Sequence, residues 1–207
     1  MKSGERRIIF VSGTGTGIGK TFVSAILAEA LQADYWKPVQ AGAPRDTDTV
    51  RRLVTNKKTV FHQEQYFLKT PASPHAAAKI EGVVIDLKRF RLPPTKNTLV
   101  IEGAGGCLVP LNDSDFMIDL IQLFKAQVVV VSNTYLGSIN HTLLTIEALK
   151  RRNLPVKGLI FNGEENPETE RIILHHTQLN CLLHIKKEPV INSDVVTKYA
   201  LELKNEW

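Results

Sequence analysis

The sequence predicts a doubly wound α/β fold on a mostly parallel sheet, and three observations carry that expectation. Apolar runs at 8–11, 99–101, 128–131 and 159–161 are short and continuous rather than alternating, as in strands buried on both faces. Between them, the segments 21–31, 116–124, 139–149 and 168–176 carry apolar residues at three- and four-residue spacing, the period of helices packed on one side. Strand followed by helix, repeated along a chain, implies crossover units that lay the strands parallel.

Each element has its own justification. The strand at 8–11 runs directly into GTGTGIGKT at 13–21 and then into the helix TFVSAILAEAL. Tyr35 and Trp36 form a short apolar run ending in Lys37, and Pro38 biases Lys37 toward an extended conformation that projects beyond its strand. Asp46 and Asp48 stand in DTDTV at the start of a helix, where either can act as a cap. From 59 to 94 the chain is less regular, broken by Pro71, Pro74, Pro93 and Pro94, and reads as an excursion around a site. The strands at 99–101, 128–131 and 159–161 end in Glu102, Asn133 and Asn162. A last helix, 193–203, has Ser193 as its expected N-cap before Asp194. No repeat, low-complexity tract or linker interrupts this order, so residues 1–207 are expected to form a single domain.

Composition narrows the function classes. The 207 residues are 43% hydrophobic and 23% charged, with 13 glycines and 10 prolines, which excludes disordered, collagenous and disulfide-scaffold proteins. The N-terminal apolar stretch is soon interrupted by glycine, unlike a signal peptide. Only Cys107 and Cys181 are present, and both features fit a cytoplasmic, thiol-reduced protein. No apolar run approaches the ~20 residues of a membrane span. The formal net charge of +5 is spread over short clusters without interleaved aromatics, so neither a nucleic acid nor a membrane is the expected partner. The six histidines lack the paired spacing of a zinc site, and Cys107 reads as a structural thiol.

Strand, glycine-rich loop, Gly-Lys-Thr and helix together make a phosphate-binding loop. Glycines let backbone N–H groups turn toward phosphate oxygens, the helix N-terminus adds its positive end, Lys20 reaches the β- and γ-phosphates, and Thr21 offers a hydroxyl to magnesium. The loop is a variant, with Thr14 where GxxxxGK[ST] has its first glycine and the glycine displaced to Gly13. In open α/β sheets ligands sit beyond the carboxyl ends of the strands, so the strand-end residues Lys37, Glu102, Asn133 and Asn162 should converge on one edge. Glu102, followed by Gly103, Ala104, Gly105 and Gly106, is placed to hold magnesium opposite the loop. A second phosphate-directed lysine, Lys37, exceeds what a plain nucleotide switch requires and points to catalysis.

Taken in order, GTGTGIGKT (13–21), KPVQAG (37–42), DTD (46–48), SPH (73–75), VIEGAGG (100–106), GSINHT (137–142) and FNG (161–163) resemble the motifs of the dethiobiotin synthetases. The resemblance implies a P-loop α/β fold working as a homodimer, with ATP as co-substrate and Mg2+ as cofactor. It implies a cyclo-ligase of biotin biosynthesis that carboxylates 7,8-diaminopelargonic acid with CO2 or bicarbonate, phosphorylates the carbamate and closes the ureido ring. By the same resemblance, Thr21, Asp48 and Glu102 bind magnesium, and Lys37 and Lys20 are catalytic. The nucleotide lies against Gly13, Thr16, Gly17, Ile18, Gly19, Lys20, Thr21, Phe22, Asp48, Glu102, Gly103, Ala104 and Gly105, with Asn162 and Gly163 at the base. The substrate meets Lys37 and Ala41, and its distal carboxylate meets the turn Gly137, Ser138, Ile139 and Asn140 of a neighbouring subunit, where a helix N-terminus suits an anion.

The sequence departs from the family at Gly17, often acidic there, and at Ala41, often serine. The segment 184–189 replaces a glycine- and proline-containing strand end that helps hold adenine. The base is therefore expected to be loosely gripped. Two alternatives share the loop: a switch ATPase of the cell-division or partition type acting through a partner, and an amide-forming cobyrinate-type synthetase. Against the first, Gly15 stands where those switches carry a lysine. Against the second, 207 residues leave no room for a glutamine-hydrolysing domain.

Overall fold

The computed structural model describes residues 6–207; the first five residues, the start of the stretch read as unlike a signal peptide, lie outside them. The chain runs β1 (Ile8–Gly13), α1 (Lys20–Leu31), β2 (Asp34–Trp36), β3 (Val39–Ala41), α2 (Asp46–Leu53), β4 (Phe61–His62), β5 (Tyr66–Leu68) and α3 (Pro74–Glu81). It continues through a 3-10 turn (Leu87–Arg89), β6 (Leu99–Glu102), α4 (Met117–Phe124), β7 (Gln127–Ser132), α5 (Ser138–Arg151), β8 (Val156–Asn162), α6 (Pro167–Thr177), β9 (Cys181–Ile185) and α7 (Ser193–Glu206). Seven strands form one sheet in the order β4-β2-β6-β1-β7-β8-β9, and every neighbouring pair is parallel. This is the doubly wound α/β fold that the apolar runs predict.

Alternation along the buried strands feeds two cores. Phe10, Trp36, Ile101, Val130 and Phe161 pack on one face against α3, α4, α5 and α6. Ile9, Val11, Tyr35, Val100, Val131 and Ile160 pack on the other against α1, α2 and α7. Each such aliphatic or aromatic side chain contributes about 1.5–3 kcal/mol by leaving water. Helix α1 lies between α2 and α7 and is buried over nearly its whole length, Lys20 included. The residues at its N-terminus are thereby held against a fixed scaffold.

The order reverses around β1, whose neighbours are β6 on one side and β7 on the other, and a ligand crevice forms at such a switch point. Register fixes what meets there. Val11 is level with Glu102, and Trp36 with Ile101, so Lys37 emerges beside Glu102.

Several elements differ from expectation. The segment 59–94 contributes β4 as an edge strand and β5, which pairs with β3 in a separate two-stranded sheet. β9 extends the main sheet beyond β8, where the sequence showed no strand. Helix α7 is capped by Asn192, whose side chain accepts from the Val195 N–H, rather than by Ser193. The reason is positional: Ser193 already lies inside the first turn. Among the described residues, no helix is long and apolar enough to cross a membrane.

Candidate active site

The glycine-rich loop between β1 and α1 needs its glycines for space as well as conformation. Gly19 caps α1 with φ 93°, and a Cβ there would lie 2.2 Å from the Asn162 amide nitrogen. Gly103, after β6, would meet the Phe10 ring at 2.8 Å, so the backbone beyond Glu102 rests directly on the core. The ammonium of Lys20 folds into the loop and donates to the Gly15 carbonyl at 2.7 Å. Burial, with a smaller push from the Lys37 charge, lowers its pKa to about 8, against the opposing pull of Glu102 and Asp46.

Glu102 is the hub. It is 1% exposed, and Oε1 accepts from the Thr21 hydroxyl at 2.9 Å and from the Lys37 ammonium at 3.0 Å. Oε2 accepts from the Tyr35 hydroxyl at 2.8 Å. Lys37 also donates to the Gly103 carbonyl at 3.0 Å and pairs with Asp46 Oδ2 at 2.6 Å. Burial alone would lower the Lys37 pKa, but the carboxylates of Glu102 and Asp46 outweigh it and hold the ammonium protonated. Asp46 titrates below the usual carboxylate range, because the Lys37 ammonium outweighs its partial burial.

The aspartate at this site is Asp46, not Asp48. Asp48 is exposed on the far side of α2 and pairs with Arg51 at 2.7 Å. The buried residues of α2 are Thr47, Val50 and Leu53; at about 100° per residue, Asp46 falls about 40° from the centre of that face and Asp48 about 160°. That signal was legible in the apolar Val50 and Leu53. Sequence reasoning also missed Tyr35 and Gln40. The Gln40 side chain accepts from the Asp46 N–H and donates to the Gly42 carbonyl, which fixes the start of α2.

A cavity of about 870 Å³ joins these groups. Of the expected nucleotide and substrate residues, Thr16, Gly17, Gly19, Lys20, Thr21, Phe22, Lys37, Ala41, Glu102, Ala104 and Gly105 line it, together with the unanticipated Thr49, Arg52 and Ile191. Gly13 and Ile18 lie beneath the loop, where Ile18 covers Gly13. An adjoining cavity of about 410 Å³ is lined by Gly19, Phe22, Asn133, Asn162, Gly163, Lys186, Lys187 and Glu188. The segment 184–189 thus reaches this edge, tied to α7 by the Tyr199 hydroxyl, which donates to Glu188 at 2.6 Å and accepts from the Lys186 N–H. The Asn162 side chain donates one amide N–H to the Ile18 carbonyl at 2.8 Å.

Gly137, Ser138, Ile139 and Asn140 line neither cavity. They open α5 with Gly137 at φ 100°, beside the exposed Tyr135 and Leu136.

Among the described residues, no cluster of three or more His, Cys, Asp or Glu could enclose a metal. Magnesium beside a triphosphate needs only one or two protein carboxylates, and Thr21, Glu102 and Asp46 present hard oxygens at one place. The donor set fits that ion.

A family model described as an AAA domain matches residues 7–194. An ATP-dependent dethiobiotin synthetase of Cytophaga hutchinsonii is 56% identical over 200 residues, covering 96% of this chain and 97% of its own. The corresponding protein of Christiangramia forsetii is 50% identical over 193 residues, covering 92% and 93%. Among solved structures, the cell division ATPase MinD of Pyrococcus furiosus aligns with a TM-score of 0.61 at 17% identity, over 98% of both chains. A plasmid partition protein of Borrelia burgdorferi bound to AMPPNP gives 0.60 at 12%, over 98% of both chains. At such identities the likeness shows the fold alone.

Proposed function

The chain belongs to the dethiobiotin synthetase family, an ATP-dependent ligase family of biotin biosynthesis, and from that premise we propose how its own residues form the ureido ring. The substrates are 7,8-diaminopelargonic acid, CO2 or bicarbonate, and ATP. One amine takes up CO2 as a carbamate, a carbamate oxygen attacks the γ-phosphorus and displaces ADP, and the second amine closes on the carbonyl, losing a proton as phosphate leaves. An anion must attack an anion, so fixed positive charge is needed where negative charge gathers. Lys20 and Lys37 supply it.

The observation that carries this reading is the linkage from Thr21 through Glu102 to Lys37, within 3.0 Å at each step. It couples the phosphate loop to a second, buried ammonium. Lys37 is held between Glu102 and Asp46, which keeps it charged and fixed in place. Magnesium held by Thr21, Glu102 and Asp46 would neutralise charge on the β- and γ-phosphates. Lys37, fixed by Glu102 and Asp46, would present its positive charge to the carbamate and the transferring phosphoryl group. Asn162 would meet the base, and the backbone at 103–105 would border the triphosphate.

The working form we propose is a cytoplasmic homodimer. The exposed apolar residues Tyr135, Leu136 and Ile139 beside the α5 N-terminus support an interface there, which would bring the turn 137–140 of one subunit to the substrate carboxylate of the other. Incubation with MgATP, bicarbonate and diaminopelargonate should yield dethiobiotin, detected by mass spectrometry. Hydrolysis of ATP without that product would refute the reading.

A further inference from the structure

We propose that Tyr35 is a positioning residue for this reaction: its hydroxyl holds one carboxylate oxygen of Glu102 so that the other faces Thr21 and Lys37. The inference rests on the reading of Glu102 as the acid of the phosphate site.

The placement follows from the sheet. Tyr35 is level with Val100 across the β2–β6 pair, and side chains two residues apart along a strand share a face, so Tyr35, Val100 and Glu102 point the same way. Lys37 follows two residues after Tyr35 in extended chain, and the two reach Glu102 together, Tyr35 at Oε2 and Lys37 at Oε1. The Tyr35 side chain is fully buried, with the Phe61 ring 6.3 Å away, centroid to centroid. The phenol donates its hydroxyl proton to Oε2. Without that donor, Oε2 would be buried with no partner and the carboxylate could lower its energy by rotating. Rotation would take Oε1 away from Thr21 and from any cation beside it. Partners that orient a metal-binding carboxylate typically change metal affinity by about 10- to 100-fold.

The test is equilibrium binding of ADP with and without Mg2+, in the wild type, Tyr35→Phe, Glu102→Gln and the double variant. Tyr35→Phe should bind ADP alone as the wild type does but lose on the order of tenfold of the Mg2+-dependent gain in affinity. In the Glu102→Gln background the same change should have little further effect, since residues acting through one another are not additive. Turnover should fall with the diaminopelargonate KM unchanged. A chain with 4-aminophenylalanine at position 35, which keeps the ring and a donor, should retain the wild-type gain, and this outcome can be read even if Tyr35→Phe does not fold. If Glu102→Gln loses the gain while Tyr35→Phe keeps it, or if the 4-aminophenylalanine chain loses it, Tyr35 does not position Glu102. If Glu102→Gln itself keeps the gain, the reading of Glu102 fails and takes the proposal with it.

Discussion

The Lys37 ammonium lies 2.6 Å from Asp46, and the same nitrogen is 3.0 Å from Glu102. One buried ammonium therefore bridges two carboxylates at the end of the sheet. Lys37→Ala should lower turnover by at least ~100-fold, the scale lost with one preorganised charge-stabilising group. Affinity for an ATP analogue should fall far less, because the loop and Lys20 remain. Steady-state kinetics beside analogue binding separates the two, and wild-type turnover in a folded variant removes Lys37 from the mechanism.

Asp46 and Asp48 make a sharper pair. Asp46→Asn should raise the Mg2+ concentration needed for half-maximal activity, since magnesium prefers charged oxygen ligands. Asp48→Asn should leave it unchanged and remove only the exposed pair with Arg51, worth about 0–1 kcal/mol. A magnesium titration of both variants decides, and the reverse result would return the role to Asp48.

Much of this site was legible in the chain. The loop at 13–21, Lys37 and Glu102 all stand at strand ends or turns that short apolar runs announce, and the sheet brings them together. The resemblance assigns magnesium to Asp48, whereas the buried face of α2, worked out from Val50 and Leu53, turns Asp46 toward the cavity. Strands β3, β4 and β5 are two or three residues long, too short for a period to show. β9 was missed because His184 interrupts the apolar run Cys181–Ile185, and its burial comes from β8 and α7.

Lys20 sets a pH limit on the free enzyme. Its pKa is lowered to about 8, chiefly by burial, and only the protonated form attracts the triphosphate. Affinity for an ATP analogue should therefore be full below that pH and weaken as pH rises through it, by up to about tenfold per unit. Calorimetric titration from about pH 7 to about pH 9.5 tests this, with Lys20→Arg as the control that stays charged throughout. A flat wild-type profile would contradict it.

Base selectivity should be modest. One N–H of the Asn162 amide is committed to the Ile18 carbonyl, and Glu188 Oε1 is engaged by Tyr199 and Lys198, which leaves few side-chain groups held in place to read a base edge. A site with few unmatched polar groups discriminates poorly. GTP and CTP should support measurable turnover, and a preference for ATP above ~1,000-fold in kcat/KM would show that residues 186–188 grip the base after all.

The most direct test follows the oxygen atoms. If a carbamate oxygen attacks the γ-phosphorus, a single turnover with doubly 18O-labelled CO2 places one labelled oxygen in dethiobiotin and the other in the released phosphate. Mass spectrometry of both products should find that division in the wild type, with the rate of label transfer to phosphate collapsing in Lys37→Ala. Unlabelled phosphate alongside labelled dethiobiotin would mean that the ring closes without a phosphorylated carbamate, and the role given to Lys20 and Lys37 would be wrong.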